Sequence, residues 1–364
     1  MPRPIRAAVS ASALAHNFAI ARRHAGAAKV WAVLKANAYG HGLERAARAL
    51  GAADGFAVLD FQEAARLRAL GVQKPVLMLE GVFDSGDVEL LQRHSLVPVV
   101  HAGAQIEMLR TVAPGAKLDC HPKIDCYLKA NTGMNRLGFD AGGLRAAYEA
   151  LRALPQVGAV TLMTHFADAD GAAGIAGQLA VFDKMIKPLG PAPRSLANSA
   201  ALLRFPRETA GDWVRPGIML YGCSPFSERS AESLGLKPVM TLSSKIIAVQ
   251  RLKRGERVGY GFSYEATGAL TIGIVACGYA DGYPRHAPSG TPVLVNGERA
   301  PTVGRVSMDM IAVDLTRLPG AGVGAPVTLW GEGLSADEVG AAAGTLSYEL
   351  FTKLTGRVPV VEVS

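Results

Sequence analysis

Eight short apolar runs, at residues 29–34, 56–60, 75–80, 96–100, 126–130, 159–165, 195–198 and 217–221, alternate with helical patterns through the first 230 residues. Most are continuous Val, Leu, Ile, Ala and Met rather than alternating apolar and polar, as strands buried on both faces of a parallel sheet require. Helical periodicity fills the gaps, as in Glu63-Ala-Ala-Arg-Leu-Arg-Ala-Leu70 and 141–154, and Gly51, Gly55, Gly71 and Gly81 stand at element ends. Eight strand–helix units over about 200 residues predict an α/β fold, a (β/α)8 TIM-type barrel. A doubly wound sheet would need fewer strands and a Gly-x-Gly-x-x-Gly phosphate loop, which the sequence lacks.

Near residue 235 the texture changes to short β-branched runs separated by Gly, Asn and Pro: 244–250, 269–276, 291–295, 310–314 and 326–330, with Asn296-Gly297 as a hairpin turn. The expected organisation is therefore a barrel over 1–234 and a mostly antiparallel β domain over 235–364. The chain, 364 residues with 49% apolar and 19% charged side chains, is long enough for both cores.

The net charge of +7 comes from dispersed Lys and Arg, without a basic run or an aromatic-rich RNA motif, so nucleic acid is not an expected partner. Cys120, Cys126, Cys223 and Cys277 form no CxxC, and no His or Cys pair has zinc spacing, so reduced thiols and no metal are expected. No uncharged apolar run approaches the ~20 residues of a membrane span, and Met1-Pro-Arg-Pro-Ile-Arg6 leads into no apolar signal region. A soluble cytoplasmic protein follows as the expectation.

The run Val33-Leu-Lys-Ala-Asn-Ala-Tyr-Gly-His-Gly42 stands out chemically. Lys35 ends an apolar strand and opens into a Gly-rich polar loop, where one desolvated amine can meet a carbonyl cofactor. Lysine forms Schiff bases with pyridoxal phosphate (PLP), and desolvation lowers its pKa toward the useful range. Catalytic residues of such barrels sit at the C-terminal strand ends, and suspicious side chains land there repeatedly. Lys35 and Tyr39 follow the first strand. Lys129 and Arg136 follow the fifth, in Tyr127-Leu-Lys-Ala-Asn-Thr-Gly-Met-Asn-Arg-Leu-Gly138. His165 ends the sixth, in Met163-Thr-His-Phe-Ala-Asp-Ala-Asp170, and Asn198 and Ser199 end the seventh. Arg215, Gly217 and Ile218 lie around the start of the eighth, in Arg215-Pro-Gly-Ile-Met-Leu-Tyr-Gly222. The β domain adds Val258-Gly-Tyr-Gly261, Cys277-Gly-Tyr-Ala-Asp-Gly-Tyr-Pro284, Gly304-Arg-Val-Ser-Met-Asp309 and Thr345-Leu-Ser-Tyr348. Tyr283 among these reads as a structural corner residue.

In order and in wording these motifs resemble the alanine racemases over essentially the whole chain. The resemblance implies a PLP-binding barrel followed by a β domain, and head-to-tail homodimers in which each site is completed by the other subunit. It implies that Lys35 carries PLP and is the base for D-alanine, while Tyr260 from the partner subunit is the base for L-alanine. Inversion takes the α-proton from one face and returns one to the other, so two bases on opposite faces do it directly. Arg215 would face the pyridine nitrogen, with His165 packed on the ring and orienting it. Asn198 would belong to the cofactor site, and Tyr39, Ser199, Tyr348 and the N–H groups of Gly217 and Ile218 would hold the phosphate. Arg136 and the Met308 N–H would bind the substrate carboxylate, Tyr279 would line the substrate channel, and Asp309 would join the surrounding hydrogen-bond network. Lys129 would be open to carbamylation, as in many members.

Asn131 and Ser307 depart from residues common in the family, aspartate and cysteine, at positions without a primary catalytic role. A racemase of broader specificity is an alternative. So is a PLP-dependent decarboxylase of the same architecture, although decarboxylases need an acidic partner at the pyridine nitrogen. A PLP carrier built on a single barrel would have no use for the β domain.

Overall fold

The computed structural model describes residues 3–111 and 123–364. Strand β1 (Arg6–Ser10) precedes the barrel, whose eight parallel strands are β2 (Lys29–Val33), β3 (Gly55–Val58), β4 (Val76–Met78), β5 (Leu96–Val100), β6 (Ile124–Lys129), β7 (Val157–Met163), β8 (Arg194–Ser195) and β9 (Trp213–Val214). They close in chain order, β2 pairing with β9 through Lys29↔Trp213 and Val30↔Val214. The rings of Trp31 and Trp213 stack across that seam at 4.2 Å, and Trp31 Nε1 donates to Tyr127 Oη at 2.8 Å inside the barrel. Helices start where side-chain caps allow: Asp60 accepts the Gln62 N–H ahead of Phe61–Ala69, and Asp140 the Gly143 N–H ahead of Ala141–Arg152.

The eighth strand is the main correction to the sequence reading. Trp213–Val214 forms it, whereas 218–221, inside the expected run, coil into a 3-10 turn. Pro216 lacks an N–H for a ladder and steers the residue before it away from helix, so the strand ends there. Ile218-Met-Leu-Tyr221 is buried all round, and a short, wholly buried run carries no period to separate strand from turn. The seventh strand also shrinks, to Arg194–Ser195, and Asn198 becomes the cap of helix Ser199–Arg204. The sixth ends at Met163, so His165 lies just beyond it.

The strands that follow the barrel are β10 (Met240–Leu252), β11 (Arg257–Val258), β12 (Tyr264–Glu265), β13 (Leu270–Val275), β14 (Pro292–Val295), β15 (Glu298–Val303), β16 (Ile311–Asp314), β17 (Pro326–Trp330) and β18 (Val360–Val363). Eight strands run in the order β13-β16-β15-β14-β17-β10-β1-β18, antiparallel except for β1–β18. Residues 6–10, read from sequence as part of the barrel stretch, thus pair in this sheet, against β10. Asn296 (φ 54°) and Gly297 (φ 86°) make the β14–β15 hairpin turn. Strands β11 and β12 form a separate ribbon over a small core of Val258, Ala266, Leu270, Ile272 and Val303.

Among the described residues no helix is long and apolar enough to cross a membrane, and no three His, Cys, Asp or Glu side chains are grouped to hold a metal. Cys126, Cys223 and Cys277 are free and buried; Cys120 lies outside the described residues.

Candidate active site

Lys35 follows β2 directly, and the chain then does something the sequence does not announce. Ala36, Asn37, Ala38 and Tyr39 all adopt left-handed φ angles of 51–55°. Each such residue without glycine's freedom costs roughly 1–2 kcal/mol, so surrounding contacts must over-determine the turn. They do. Glu63 Oε1 accepts the Asn37 N–H at 2.7 Å, Asn37 Oδ1 accepts the Leu43 N–H at 2.9 Å, and the buried His41 ring bonds through Nδ1 to the Tyr39 carbonyl at 2.9 Å. Gly40 closes against another element: a Cβ there would meet the Phe351 carbonyl oxygen at 2.1 Å. The turn therefore aims Lys35 and Tyr39 from fixed backbone.

The residues expected around Lys35 converge on it. Burial lowers its pKa, with help from the Arg136 guanidinium and against the pull of Glu80. Lys129, at the end of β6, is buried; desolvation and then the cations Arg215, Arg136 and Lys35 bring it down to about 8. His165 is held well below its ordinary value by burial, then by Arg215 and Lys129, so it is a neutral imidazole at pH 7. A small recess is lined by Lys129, Arg136, Thr164 and His165. The Arg136 loop is folded back by Asn131, whose Oδ1 accepts the N–H groups of Gly133 and Asn135, and by Phe139 N–H donating to the Lys129 carbonyl at 2.9 Å.

Arg215 is almost fully buried, and burial lowers its pKa to about 10, so it stays a cation. Its Nη1 donates to the Ser195 carbonyl and hydroxyl at 2.7 Å each; its Nη2 donates to the carbonyls of Thr164 at 2.7 Å and Leu196 at 3.2 Å. Four of the five donors of a guanidinium are thereby used, and Nε–H has no acceptor among the described residues.

The residues expected to hold a phosphate gather where β9 turns into 218–221. Ser199 Oγ accepts the Gly217 N–H at 2.9 Å, and the Tyr39 ring stacks on Tyr221 at 4.6 Å and tilts toward Tyr348 at 5.9 Å. A Cβ on Gly217 would come within 2.5 Å of the Tyr39 hydroxyl, so glycine keeps that space open. Burial raises the Tyr39 and Tyr348 pKa values, so both hydroxyls keep their protons as donors. Asn198 spends its side chain on the Ala201 N–H, capping the helix that presents Ser199.

The remaining expected residues belong to a different surface. Tyr260 rises at the tip of the β11–β12 ribbon, framed by left-handed Gly259 and Gly261, and is 72% exposed. Met308 and Tyr279 are also exposed, on adjoining loops, and Asp309 Oδ1 accepts from Arg357 Nη2 at 2.5 Å. The charged groups acting on Lys35, namely Arg136 and Glu80, all come from the barrel. Tyr283 is buried and stacks on Trp330, as a corner residue would. Sequence reasoning missed Glu63, Glu80, Ser195 and Tyr221. Each acts through a tertiary contact, and Tyr221, whose hydroxyl donates to the Val33 carbonyl, was hidden inside an apparent strand.

Residues 9–225 match the family model for the alanine racemase N-terminal domain and residues 239–362 that for the alanine racemase C-terminal domain. The chain is 57% identical over 361 residues to the alanine racemase of Thiobacillus denitrificans, covering 99% of this chain and 96% of that protein. It is 55% identical over 369 residues to that of Variovorax paradoxus, covering 99% and 98%. Among solved structures it resembles the biosynthetic alanine racemase of Pseudomonas aeruginosa, with 48% identity, a TM-score of 0.94 and full coverage of both chains. The alanine racemase of Bartonella henselae with covalently bound pyridoxal phosphate superposes with a TM-score of 0.89 at 28% identity, covering 100% of each chain.

Proposed function

The chain belongs to the alanine racemase family and interconverts L- and D-alanine; from that premise we propose that PLP is held at Lys35 and that Lys35 and Tyr260 are the two bases. The observation that carries the reading is the convergence of a depressed lysine, a spare Arg215 Nε–H and a glycine-lined cradle at one end of the barrel. These residues fit the cofactor. Lys35 offers an amine more readily neutral than an ordinary lysine. Ser199, Tyr39, Tyr348 and the Ile218 N–H suit a phosphate, and the Gly217 N–H, which donates to Ser199 Oγ here, would turn to it on binding.

When bound, PLP supplies a carbonyl for the amino group of alanine and an electron-withdrawing ring that weakens the Cα–H bond. Lys35 Nζ takes or returns the α-proton on one face, as the base for D-alanine. Tyr260 of the partner subunit does so on the other, as the base for L-alanine. Arg215, which keeps its proton, would offer its Nε–H to the pyridine nitrogen without protonating it, which would restrain the ring's electron pull and disfavour side reactions. His165 would pack on the ring, the orientation of Arg215 being set by Ser195, Thr164 and Leu196 rather than by His165, and Asn198 supports the cradle by fixing the helix of Ser199. Arg136 and the Met308 N–H bind the substrate carboxylate, with Tyr279 along the path and Asp309 in the network behind. Lys129, poised near pH 8, is a nucleophile that CO2 would carbamylate, turning a cation beside Arg136 into an anion that pairs with it.

The exposure of Tyr260, Tyr279 and Met308 supports a homodimer in which each β domain completes its partner's site. Buried free thiols fit a cytoplasmic location. The test is direct. Purified protein with PLP is incubated with L- or D-alanine and optical rotation followed, and borohydride-reduced holoenzyme is mapped by peptide mass. Racemisation from both directions, lost in Lys35→Ala and strongly reduced in Tyr260→Phe, with cofactor mass on Lys35, is the expected result. CO2 release or cofactor on another lysine overturns it.

A further inference from the structure

Tyr279 and Met308 ride on loops that are tied to each other. Tyr279 N–H donates to the Ser307 carbonyl and Ala280 N–H to the Met308 carbonyl, each at 3.0 Å. The approach is so close that a Cβ on Gly278 would lie 2.3 Å from the Met308 carbonyl oxygen. Behind the pair sits Asp281, its carboxylate fully buried and accepting the Gly278 N–H at 2.9 Å. Arg3, almost three hundred residues away in sequence, forks onto that carboxylate: Nη1 to Oδ1 at 2.6 Å and Nη2 to Oδ2 at 3.0 Å. The same Nη2 donates to the Asp309 carbonyl at 2.8 Å. Arg357 reaches Asp281 at 3.5 Å and Asp309 at 2.5 Å.

We propose that Arg3 is a positioning residue for substrate binding: its fork locks the Tyr279 loop to the Met308 loop and so sets the Met308 N–H against the substrate carboxylate. The proposal rests on the reading of Met308 and Tyr279 as substrate contacts. A bidentate pair on a buried carboxylate is demanding in geometry, and a lysine offers a point charge rather than a fork. Arg3 is tethered three residues before β1, which belongs to the same sheet system as both loops, so the lock is anchored at each end. It touches neither Lys35 nor the cradle through any hydrogen bond among the described residues.

Arg3→Ala and Arg3→Lys holoenzymes are to be assayed across alanine concentrations beside the wild type. The expected result is a KM raised about tenfold in Arg3→Ala, with kcat within about threefold and cofactor content and absorbance unchanged; Arg3→Lys falls between. An unchanged KM in both variants overturns the proposal. So does loss of kcat and cofactor together in both, which is what general unfolding gives. A mixed dimer of Arg3→Ala with Lys35→Ala separates the proposal from the reading beneath it, because its one working Lys35 belongs to the Arg3→Ala chain. A wild-type KM there places the action of Arg3 on the partner's site. A raised KM keeps the role of Arg3 and overturns the shared-site reading.

Discussion

The Glu63 carboxylate accepts the Asn37 backbone N–H at 2.7 Å, and this one bond joins the helix after the second barrel strand to the middle of the left-handed turn behind Lys35. The other carboxylate oxygen of Glu63 is buried without a partner, and burial raises the pKa of the group. A raised carboxylate pKa means the charged form is disfavoured in the fold, so the penalty is absent in acid and grows as pH rises through the ordinary carboxylate range.

Glu63→Gln keeps the acceptor and removes the charge. At pH 8 it is expected to be as stable as the wild type or more so, and to retain PLP. Glu63→Ala orphans the Asn37 N–H, lowers stability by about 1–3 kcal/mol and loosens the cofactor. Urea unfolding and cofactor fluorescence read both. Equal behaviour of the Gln and Ala variants would show that the hydrogen bond does not hold the turn.

Ala36, exposed with φ 55°, gives an independent measure of the strain. Glycine there relieves the left-handed cost while adding unfolded-state freedom, so Ala36→Gly should leave stability within about 0.5 kcal/mol or raise it. The same change at the exposed Ala146, in the regular helix Ala141–Arg152, should cost about 1 kcal/mol. Matching losses at both positions would argue that the turn carries no strain.

Gly217→Ala places a methyl in the cradle, 2.5 Å from the Tyr39 hydroxyl before any adjustment. Overpacking of about 1–3 kcal/mol corresponds to PLP affinity weakened from about fivefold to more than about a hundredfold. Titration of apoenzyme with PLP measures it, and an unaltered affinity would remove Gly217 from the phosphate site.

Lys129 predicts a pH signature. Its value of about 8 lies below the ordinary 10.5, so from about pH 8 to 10.5 the unfolded chain holds a proton that the folded chain has released. Stability contributed by this group therefore rises across that window, and below it the burial penalty is fully present. In CO2-free buffer, Lys129→Met should be more stable than the wild type near pH 7, by roughly 3 kcal/mol at most, with the gap closing toward alkaline pH. Parallel urea midpoints for the two proteins across the window would contradict the assignment.

Much of the candidate site was legible because its residues are concentrated in short strings. Lys35, Tyr39, Arg136, His165, Ser199 and Arg215 all sit at or just past strand ends, where an apolar run gives way to polar residues and glycine. What escaped was of another kind. The left-handed turn is built from alanines and an asparagine, and alanine carries no mark of the conformation that neighbours impose on it. Glu63 reads as one more helix-surface charge until its helix packs under the turn. Strand β1 carries too little alternation to show its sheet, and its partners β10 and β18 lie more than two hundred residues away. The eighth strand was displaced because wholly buried segments lose the period that tells strands from turns.

The hydrogen bonds of Arg215 bear on how this protein can change over generations. Strands β8 and β9 meet in register at a single pair, Ser195↔Trp213, and Arg215 adds bonds to Ser195, Leu196 and Thr164 across the same stretch. One guanidinium thus stitches the barrel's weakest seam and, in the proposed function, also meets the cofactor. A lineage drifting toward a different reaction by replacing it would open the seam in the same step. Reaction type and barrel integrity are inherited together here, and a new chemistry at this position becomes accessible only after other contacts have first reinforced β7 to β9.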